Sequence, residues 1–214
     1  MTNEPCNQVT CQPGLPDCLF CRSGLELPHY TGRVLTSVLD HLKSFDPADV
    51  DQAVLRTAYL EAISEAGQKM LWKGLADEHV TASCFVFSED LDQILLTFHR
   101  KGQFWVQFGG HLEKDDDSLE ASALREAREE SGLERLQLTG GVVDLDLHRL
   151  HGGFTCAAHW DIGFTALVSA DAEFGVSDES ESVEWWSVDQ LPESAPPDLA
   201  RRIERALKSL QAAD

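Results

Sequence analysis

Three glutamates near the middle of the chain have the spacing of a metal site. Glu126, Glu129 and Glu130 lie three and four residues apart in the stretch 118–131, whose residues favour a helix. At about 100° per residue, such a helix places the three carboxylates on one face, at the edge of its apolar side. Like charges at this spacing repel one another, and the end of a helix disfavours anions. We therefore expect a divalent cation to bind there, Mg²⁺ or its substitute Mn²⁺.

Residues that begin and end helices flank this stretch. Asp117 is a suitable N-cap with Glu120 as its capping partner, and Gly132 suits the position after the last turn. The alternative interpretation is an acidic face exposed to solvent, with Arg125 and Arg128 between the glutamates. The co-occurrence of a double glycine, a cap and the carboxylate spacing favours the metal site.

The same stretch resembles the Nudix box, the signature motif of the Nudix hydrolase superfamily. The second half of that motif is matched at every position by Arg125-Glu126-Ala127-Arg128-Glu129-Glu130-Ser131-Gly132-Leu133. Seven residues, 118–124, separate this run from Asp117, which stands where the family has glutamate. Gly109-Gly110 resembles the family's double glycine, although six residues rather than five separate Gly110 from Asp117. The segment 185–191, Trp-Trp-Ser-Val-Asp-Gln-Leu, is similar to the family's usual ending.

This resemblance implies a fold, a reaction and a set of site residues. The fold is the Nudix fold, an α+β structure with a mixed β-sheet sandwiched between α-helices. The reaction is Mg²⁺-dependent hydrolysis of a phosphoanhydride bond in a nucleoside diphosphate linked to another group, by in-line attack of water on phosphorus. The implied metal ligands are Glu126, Glu129, Glu130 and the Gly110 carbonyl oxygen. Glu126 and Arg125 are the expected catalytic residues, with Arg125 orienting Glu126.

Two other functions are compatible with the same fold. Isopentenyl-diphosphate isomerase needs a catalytic cysteine in a Cys-x-His-Pro-like context, whereas this chain has Gln-Phe-Gly-Gly-His at 107–111. A non-catalytic nucleotide-sensing module would regulate a partner, but the intact run 125–133 argues against lost catalysis. Hydrolysis is therefore the leading hypothesis.

Four further side chains are candidates for binding the substrate. His111 follows the double glycine, and Glu179 lies in an acidic loop before the last predicted strand. His148 and His159 alternate with apolar residues in two predicted strands. The same strand faces carry Asp144, Asp146 and Asp161. If the strands flank the helix, these faces line the substrate cleft. The alternative, which the pattern favours, is an ordinary solvent-facing side of an antiparallel sheet.

The elements that must position these residues divide the chain into three predicted segments. Residues 1–24 form a Cys-rich tail, 25–77 a helical extension with a break at 45–47, and 78–214 the Nudix hydrolase domain. The last segment has short β-rich runs before and after the helix with the glutamates, and ends in another helix. That order predicts a mixed sheet between helices, preceded by the N-terminal helical extension.

The cysteines are of two kinds. The tail contains a C-x4-C-x6-C-x2-C pattern formed by Cys6, Cys11, Cys18 and Cys21. Four thiolates can bind Zn²⁺ tetrahedrally, but spacing alone supports such a zinc knot, so a thiol-bearing tail without metal is favoured. Cys84 and Cys156 lie in predicted strands and are expected to be core thiols.

Charge and hydropathy limit the partners and the location. The 214 residues, 43% of them hydrophobic, suffice for one domain with attached segments. The net charge of −20 repels phosphate backbones, so we expect a small nucleotide bound through a cation rather than a nucleic acid. The sequence contains neither a secretory signal nor the roughly 20 consecutive apolar residues that span a bilayer. We therefore predict a cytoplasmic protein without a membrane partner, and the sequence does not specify its oligomeric state.

Overall fold

The structure, a computed structural model, describes residues 31–150, 155–177 and 180–212. Two sets of predicted site residues lie outside these ranges: Cys6, Cys11, Cys18 and Cys21 of the tail, and Glu179. The zinc knot and the role of Glu179 therefore stay predictions. Within the described ranges, no helix has the length and apolar character needed to cross a membrane.

Helices precede, interrupt and follow a series of strands. The helices are α1 (Thr31–Ser44), α2 (Val50–Ala66), a 3₁₀ turn (Gly67–Leu71), α3 (Leu119–Ser131) and α4 (Leu199–Ala212). The strands are β1 (Glu78–Ser88), β2 (Gln93–His99), β3 (Phe104–Val106), β4 (Phe108–His111), β5 (Asp144–Arg149), β6 (Ala158–Val168) and β7 (Ser180–Ser187). The predicted break between the first two helices is confirmed: α1 ends at Ser44, and the Asp49 side chain caps α2 by accepting from Gln52 N at 2.9 Å.

The seven strands form one mixed sheet with the order β3-β2-β1-β6-β5, in which β4 also pairs with β1 and β7 with β2. The central strands β1 and β6 run parallel from Glu78↔Ala158 to Ser88↔Val168, and the other pairs are antiparallel. Because both faces of β1 and β6 are covered, these strands are buried along most of their length. The predicted mixed sheet between helices, with its N-terminal helical extension, is confirmed.

The apolar run FWVQF at 104–108 is divided between two strands at Gln107. Its first part, β3, pairs with β2, and its second part, β4, pairs with β1. The chain thus changes partners within a few residues. This change brings Gly109 and Gly110 beside β1, where they lie opposite Ser83 and Ala82.

Two helical layers cover the two faces of the sheet. Val80 and Ala82 of β1 share a core with α1, α2 and α3, whereas Phe85 and Phe87 point to the other face and pack against α4. Because α4 covers only one end of that second face, the other end, which carries Thr81 and Ser83, is left for a cavity. The sheet therefore has one fully packed face and one face divided between packing and a site.

The N-terminal helices are joined to the sheet by polar contacts as well as by this shared core. The buried Gln52 of α2 donates from Nε2 to the Leu145 carbonyl and accepts from Leu145 N at Oε1, each at 2.8 Å. Leu145 belongs to β5, which is an edge strand of the described sheet. The backbone groups on its outer side therefore have no neighbouring strand to pair with. The amide of Gln52 takes the place of that missing strand, so we expect α2 to stabilise the edge of the sheet.

A buried ion cluster holds α4 against the sheet. Arg202 Nε lies 2.6 Å from Asp144 Oδ2, and its Nη2 lies 2.6 Å from Asp161 Oδ2, with side chains no more than 5% exposed. Thr81 and Ser83 donate hydroxyl hydrogen bonds to the same Asp161 carboxylate at 2.8 and 2.6 Å. The prediction that these strand faces point to solvent is therefore wrong for Asp144 and Asp161. Arginine and hydroxyl donors take the place of water around both carboxylates.

Candidate active site

The helix with the glutamates, α3, begins at Leu119, one residue later than predicted. Ser118, in an extended conformation, accepts from Ala121 N at 3.2 Å, so Ser118 and not Asp117 is the N-cap. Glu120 does not close a capping box, because its carboxylate binds His41 Nε2 at 2.6 Å and Ser37 Oγ at 3.1 Å. At the other end Gly132 adopts the left-handed conformation with φ of 72°, as predicted for a residue after the last turn.

Arg125 is held by the carboxylate of Asp116, which was not among the predicted site residues. Its Nε lies 3.0 Å from Asp116 Oδ1 and its Nη2 lies 3.1 Å from Oδ2, a bidentate pair, and Nη2 also donates to the His111 carbonyl at 2.8 Å. Asp117 is 71% exposed and lies 3.9 Å from Arg33. The assignment of Asp117 to the acidic position of the motif was therefore wrong. Five residues separate Gly110 from Asp116, and this spacing was the signal in the sequence.

Hydrogen bonding keeps this pair ionised despite its burial. Burial raises the pKa of Asp116, whereas hydrogen bonds from the Arg125 and Ser122 side chains and from the Glu113 amide lower it. The lowering is the larger effect, so the pKa of Asp116 is below its usual value. Burial lowers the pKa of Arg125, and Asp116 and Glu126 more than reverse that effect. Arg125 is thus a fixed positive charge at the start of the glutamate face.

The three glutamates line one cavity, but their environments differ. Arg125 Nη1 lies 2.9 Å from Glu126 Oε1 and 3.2 Å from Glu129 Oε2, so one guanidinium nitrogen contacts two of the carboxylates. Glu130 Oε2 accepts from Gly109 N at 3.0 Å. The side chain of Glu126 is 14% exposed and that of Glu129 is 61% exposed, while residue Glu130 is 6% exposed. Arg125 thus offsets much of the repulsion expected within the cluster.

Gly110 allows the strand and the helix to approach each other closely. A Cβ atom at Gly110 would lie 2.5 Å from Glu126 Cδ and 2.6 Å from each of its carboxylate oxygens. Such contacts are far inside van der Waals distance, so any side chain at 110 would displace Glu126. The backbone of β4 and the carboxylate of Glu126 therefore share one small volume, as a metal site built from a carbonyl and carboxylates requires.

The surrounding cavity has a volume of about 740 Å³. It brings together the three glutamates, Gly109, Gly110 and the candidate residues His111, His148 and His159. It also contains three cationic side chains that the sequence analysis missed, Lys73, Arg100 and Lys101. Lys73 follows the 3₁₀ turn, and Arg100 and Lys101 follow β2. None of the three belongs to a recognisable motif, so the sequence did not indicate that they lie near the glutamates.

The candidate histidines differ in their tendency to carry charge. Burial lowers the pKa of His111 to about 4 and, with help from neighbouring histidines, that of His159 to about 3. Burial also lowers the pKa of His148, but Asp146 Oδ2, 2.8 Å from its Nδ1, raises it above the usual value. Near neutral pH His111 and His159 are therefore uncharged, and His148 is the one of the three best suited to contact an anion.

Both cysteines expected in the core are buried, and one of them also lines the cavity. Cys84 is buried in β1, and burial raises the pKa of its thiol to about 12. Cys156 precedes β6 rather than lying within a strand, and its Sγ is 3.9 Å from His111 Nε2. Cys156 is therefore buried as expected, but because the strand begins at Ala158 it lies in the loop that lines the cavity and not in a strand.

Replacing Asp116 with asparagine tests its contact with Arg125. We expect the variant to lose about 1.5–3 kcal/mol of unfolding free energy, because the charged acceptor of a bidentate pair is removed. Asp117→Asn, at the exposed neighbouring position, is the matched control and should change stability by less than about 0.5 kcal/mol. Urea denaturation of both variants measures the difference. Equal stability of the two would show that the Asp116 pair contributes nothing.

Comparisons with known proteins identify the family of the chain. The family model described as NUDIX domain matches residues 77–209. A hydrolase of the NUDIX family from Clostridium perfringens aligns at 22% identity and a TM-score of 0.51, covering 64% of this chain and 98% of that protein. A C. elegans Ap4A hydrolase binary complex aligns at 14% identity and a TM-score of 0.51, covering 63% and 98%.

The third solved structure covers more of the chain. The NUDIX domain of Shewanella oneidensis NrtR, complexed with ADP ribose, aligns at 19% identity and a TM-score of 0.50, covering 80% of this chain and 97% of that one. At these identities the structural similarities show the fold alone. A search of curated proteins gives no match.

Proposed function

The chain belongs to the Nudix hydrolase family, and from that premise we propose that it hydrolyses a phosphoanhydride bond in a nucleoside diphosphate linked to another group. The observation that carries the proposal is the connected series Asp116–Arg125–Glu126, whose last carboxylate lies against Gly110. Glu129 and Glu130 line the same cavity. A nucleoside diphosphate derivative is the class of substrate that this family acts on.

We propose that Glu126, Glu129, Glu130 and the Gly110 carbonyl oxygen bind Mg²⁺, with Mn²⁺ as a substitute. The donor set fits, because it consists of oxygen atoms only and because the space at 110 that a side chain would fill is shared with the Glu126 carboxylate. When bound, Mg²⁺ neutralises the charge that develops on the phosphate oxygens. Arg125 holds Glu126 in one orientation, since its own position is determined by Asp116.

The cationic residues of the cavity are proposed to bind the phosphates. Lys73, Arg100 and Lys101 supply positive charge in a protein whose net charge is −20. We infer that this local contrast draws the diphosphate into the cavity rather than to the surface. We assign His148 to the same role, because Asp146 raises its pKa.

For the group linked to the diphosphate we propose an adenosine-containing compound. The Shewanella structure is complexed with ADP ribose and the C. elegans protein is an Ap4A hydrolase, and both names denote adenosine phosphates.

The test is turnover of a nucleotide panel with Mg²⁺ and with Mn²⁺. The panel contains ADP-ribose, diadenosine tetraphosphate, nucleoside triphosphates, sugar nucleotides and dinucleotide cofactors, and the products are identified by chromatography. We expect hydrolysis of an adenosine diphosphate derivative, loss of turnover in excess chelator, and a rate that rises through mildly alkaline pH as the attacking water loses its proton.

Three results would contradict parts of the proposal. Full turnover in excess chelator would exclude the metal mechanism. Tight binding of a nucleotide without hydrolysis would favour the sensing module. Conversion of isopentenyl diphosphate to its isomer, without phosphate release, would favour the isomerase.

A further inference from the structure

Three histidines and one cysteine converge on one face of the sheet beside the glutamate cluster. His79 of β1 lies opposite His159 of the parallel strand β6. His111 of β4 lies opposite Thr81, which is two residues from His79 and therefore on the same face. Cys156 enters from the loop before β6. Three segments, β1, β4 and the stretch from Cys156 into β6, thus bring nitrogen and sulfur donors to one place.

The donor atoms are close enough for a single ion. One ligand atom from each of the four residues lies within 4.8 Å of every other, and Cys156 Sγ is 3.9 Å from His111 Nε2. The ring centroids of His79 and His111 are 4.9 Å apart, those of His111 and His159 also 4.9 Å, and those of His79 and His159 5.2 Å. The three imidazole rings therefore lie in contact with one another.

Hydrogen bonding determines which nitrogen of His79 is available. Nδ1 lies 3.2 Å from the Ala76 carbonyl oxygen, which can only accept, so Nδ1 carries the proton and Nε2 carries a lone pair. His79 is 0% exposed, and in the described part of the chain neither its Nε2 nor that of His159 has a hydrogen-bond partner. Leaving such atoms buried and unpaired is costly, whereas a metal ion satisfies them. A ring nitrogen that donates to a carbonyl is also the usual second contact of a metal-bound histidine.

We propose that His79, His111, His159 and Cys156 bind one Zn²⁺ ion, at a site distinct from the Mg²⁺ site. Imidazole and thiolate donors in a set of four suit zinc, whereas the glutamates and carbonyl of the neighbouring site suit Mg²⁺. Zn–N bonds near 2.0–2.1 Å and a Zn–S bond near 2.3 Å place tetrahedral donors about 3.4–3.6 Å apart. The donors in the structure therefore need to move inward by about 1 Å at most, a distance within reach of side-chain rotation.

The zinc ion would have a positioning role. It joins β1, β4 and the start of β6, and His111 is the residue after Gly110, whose carbonyl we assign to the Mg²⁺ site. Zinc binding therefore fixes the end of β4 on which that carbonyl depends. Because binding to the folded state alone stabilises it, added zinc should raise the melting temperature of the protein.

The test uses the full-length chain in a background that excludes the tail as a zinc ligand. In this background serine replaces Cys6, Cys11, Cys18 and Cys21. Cys156→Ser and His159→Asn are introduced separately and together. His148→Asn is the matched control, because His148 lies 5.3 Å from the His159 ring but its Nδ1 is held by Asp146. Bound zinc is measured by elemental analysis, and the site is probed by the absorption of added Co²⁺.

We expect about one zinc per chain in the background and in His148→Asn, as for a structural zinc site with a complete set of four ligands. Their Co²⁺ forms should show tetrahedral bands and a thiolate-to-cobalt charge-transfer band. Cys156→Ser should lose the charge-transfer band, and His159→Asn should bind zinc at least about 10-fold more weakly. Absence of zinc from the background after incubation with excess Zn²⁺, or full zinc content in the double variant, would overturn the proposal.

Alkylation of Cys156 in the serine background gives a second measurement. All four proposed ligands are intact in this protein, so the result does not depend on the folding of a ligand variant. In the serine background the remaining thiols are Cys84 and Cys156, and Cys84 is buried in the core. Zn²⁺ should slow the reaction of Cys156 with iodoacetamide at least about 10-fold, because a metal-bound thiolate is a weaker nucleophile than a free one. A rate that is the same with Zn²⁺ and with chelator would overturn the assignment of Cys156.

Discussion

Replacing Glu130 with glutamine should lower turnover at least about 100-fold and leave the protein folded. Glu130 is 6% exposed and its Oε2 accepts from Gly109 N at 3.0 Å. Glutamine retains the shape and a carbonyl acceptor for that amide, and it removes the negative charge. If the glutamates hold the metal, the loss of one ligand weakens the charge stabilisation of the transition state. Glu129→Gln should lower turnover by a similar factor.

Metal-free stability should separate this loss of activity from misfolding. Glu126 and Glu130 are like charges four residues apart, so Glu130→Gln should be as stable as the parent or more stable by a few tenths of a kcal/mol, about 0.2–0.5. Glu129→Gln loses the contact with Arg125 at 3.2 Å, but an exposed pair of this kind contributes only about 0–1 kcal/mol. Neither variant should unfold at assay temperature.

Calorimetry with and without Mg²⁺ completes the comparison. Mg²⁺ should raise the melting temperature of the parent and raise that of either variant less, since only a bound ligand shifts the folding equilibrium. Glu134→Gln, an exposed glutamate just beyond the helix, is the matched control and should respond as the parent does. If the Glu130→Gln enzyme is active and Mg²⁺ raises its melting temperature as much as that of the parent, Glu130 is not a metal ligand. That result would favour an acidic face without a bound cation.

Local patterns explain why most of the fold could be predicted. The spacing of apolar residues and the glycine at 132 marked α3, whose observed bounds Leu119–Ser131 differ by one residue from the prediction. The alternation in β5 and β6 likewise identified two strands that pair antiparallel. In each case the information lies within a few residues of chain, where helix and strand periodicity operate.

The cap and the acidic partner of Arg125 were misassigned because neighbouring residues offered the same chemistry. Asp116, Asp117 and Ser118 can each accept a hydrogen bond, and the choice depends on how the loop meets the helix. The seven-residue spacing to Arg125 selected Asp117, whereas the five-residue spacing from Gly110 would have selected Asp116. The loop is one residue longer than the family pattern, and Asp116 is the residue whose carboxylate is turned inward.

The ion cluster around Arg202 and the histidine cluster could not be predicted from the sequence for a different reason. Asp144, Asp161 and Arg202 come from β5, β6 and α4, and only the packing of α4 on the sheet unites them. The histidine cluster depends in the same way on the register of β1 with β4 and β6. The polar faces of the strands were visible in the sequence, but the sequence did not show what covers them.

Replacing Arg202 with methionine should destabilise the protein by about 3–5 kcal/mol, because it leaves two buried carboxylates without their shared cation. Methionine retains most of the length of the arginine stem, so the loss reports the charge more than the packing. Arg201→Met changes the preceding residue, which is 58% exposed and lies 3.8 Å from Asp51, and should alter stability by less than about 0.5 kcal/mol. Urea denaturation measures both variants.

The pH dependence of the Arg202→Met defect identifies its cause. Burial raises the pKa of Asp161, and Arg202 is the first of the groups that lower it, so in the variant the folded-state pKa should exceed the unfolded value of about 3.9. A group with a raised folded pKa stabilises the protein at low pH and loses that contribution as the pH rises through the folded pKa. The difference in stability between parent and variant should therefore be larger at pH 8 than at pH 5. The double variant Arg202→Met/Asp161→Asn should recover part of the loss at pH 8, since it removes one unpaired charge. A defect that is independent of pH and unchanged in the double variant would assign the role of Arg202 to packing instead.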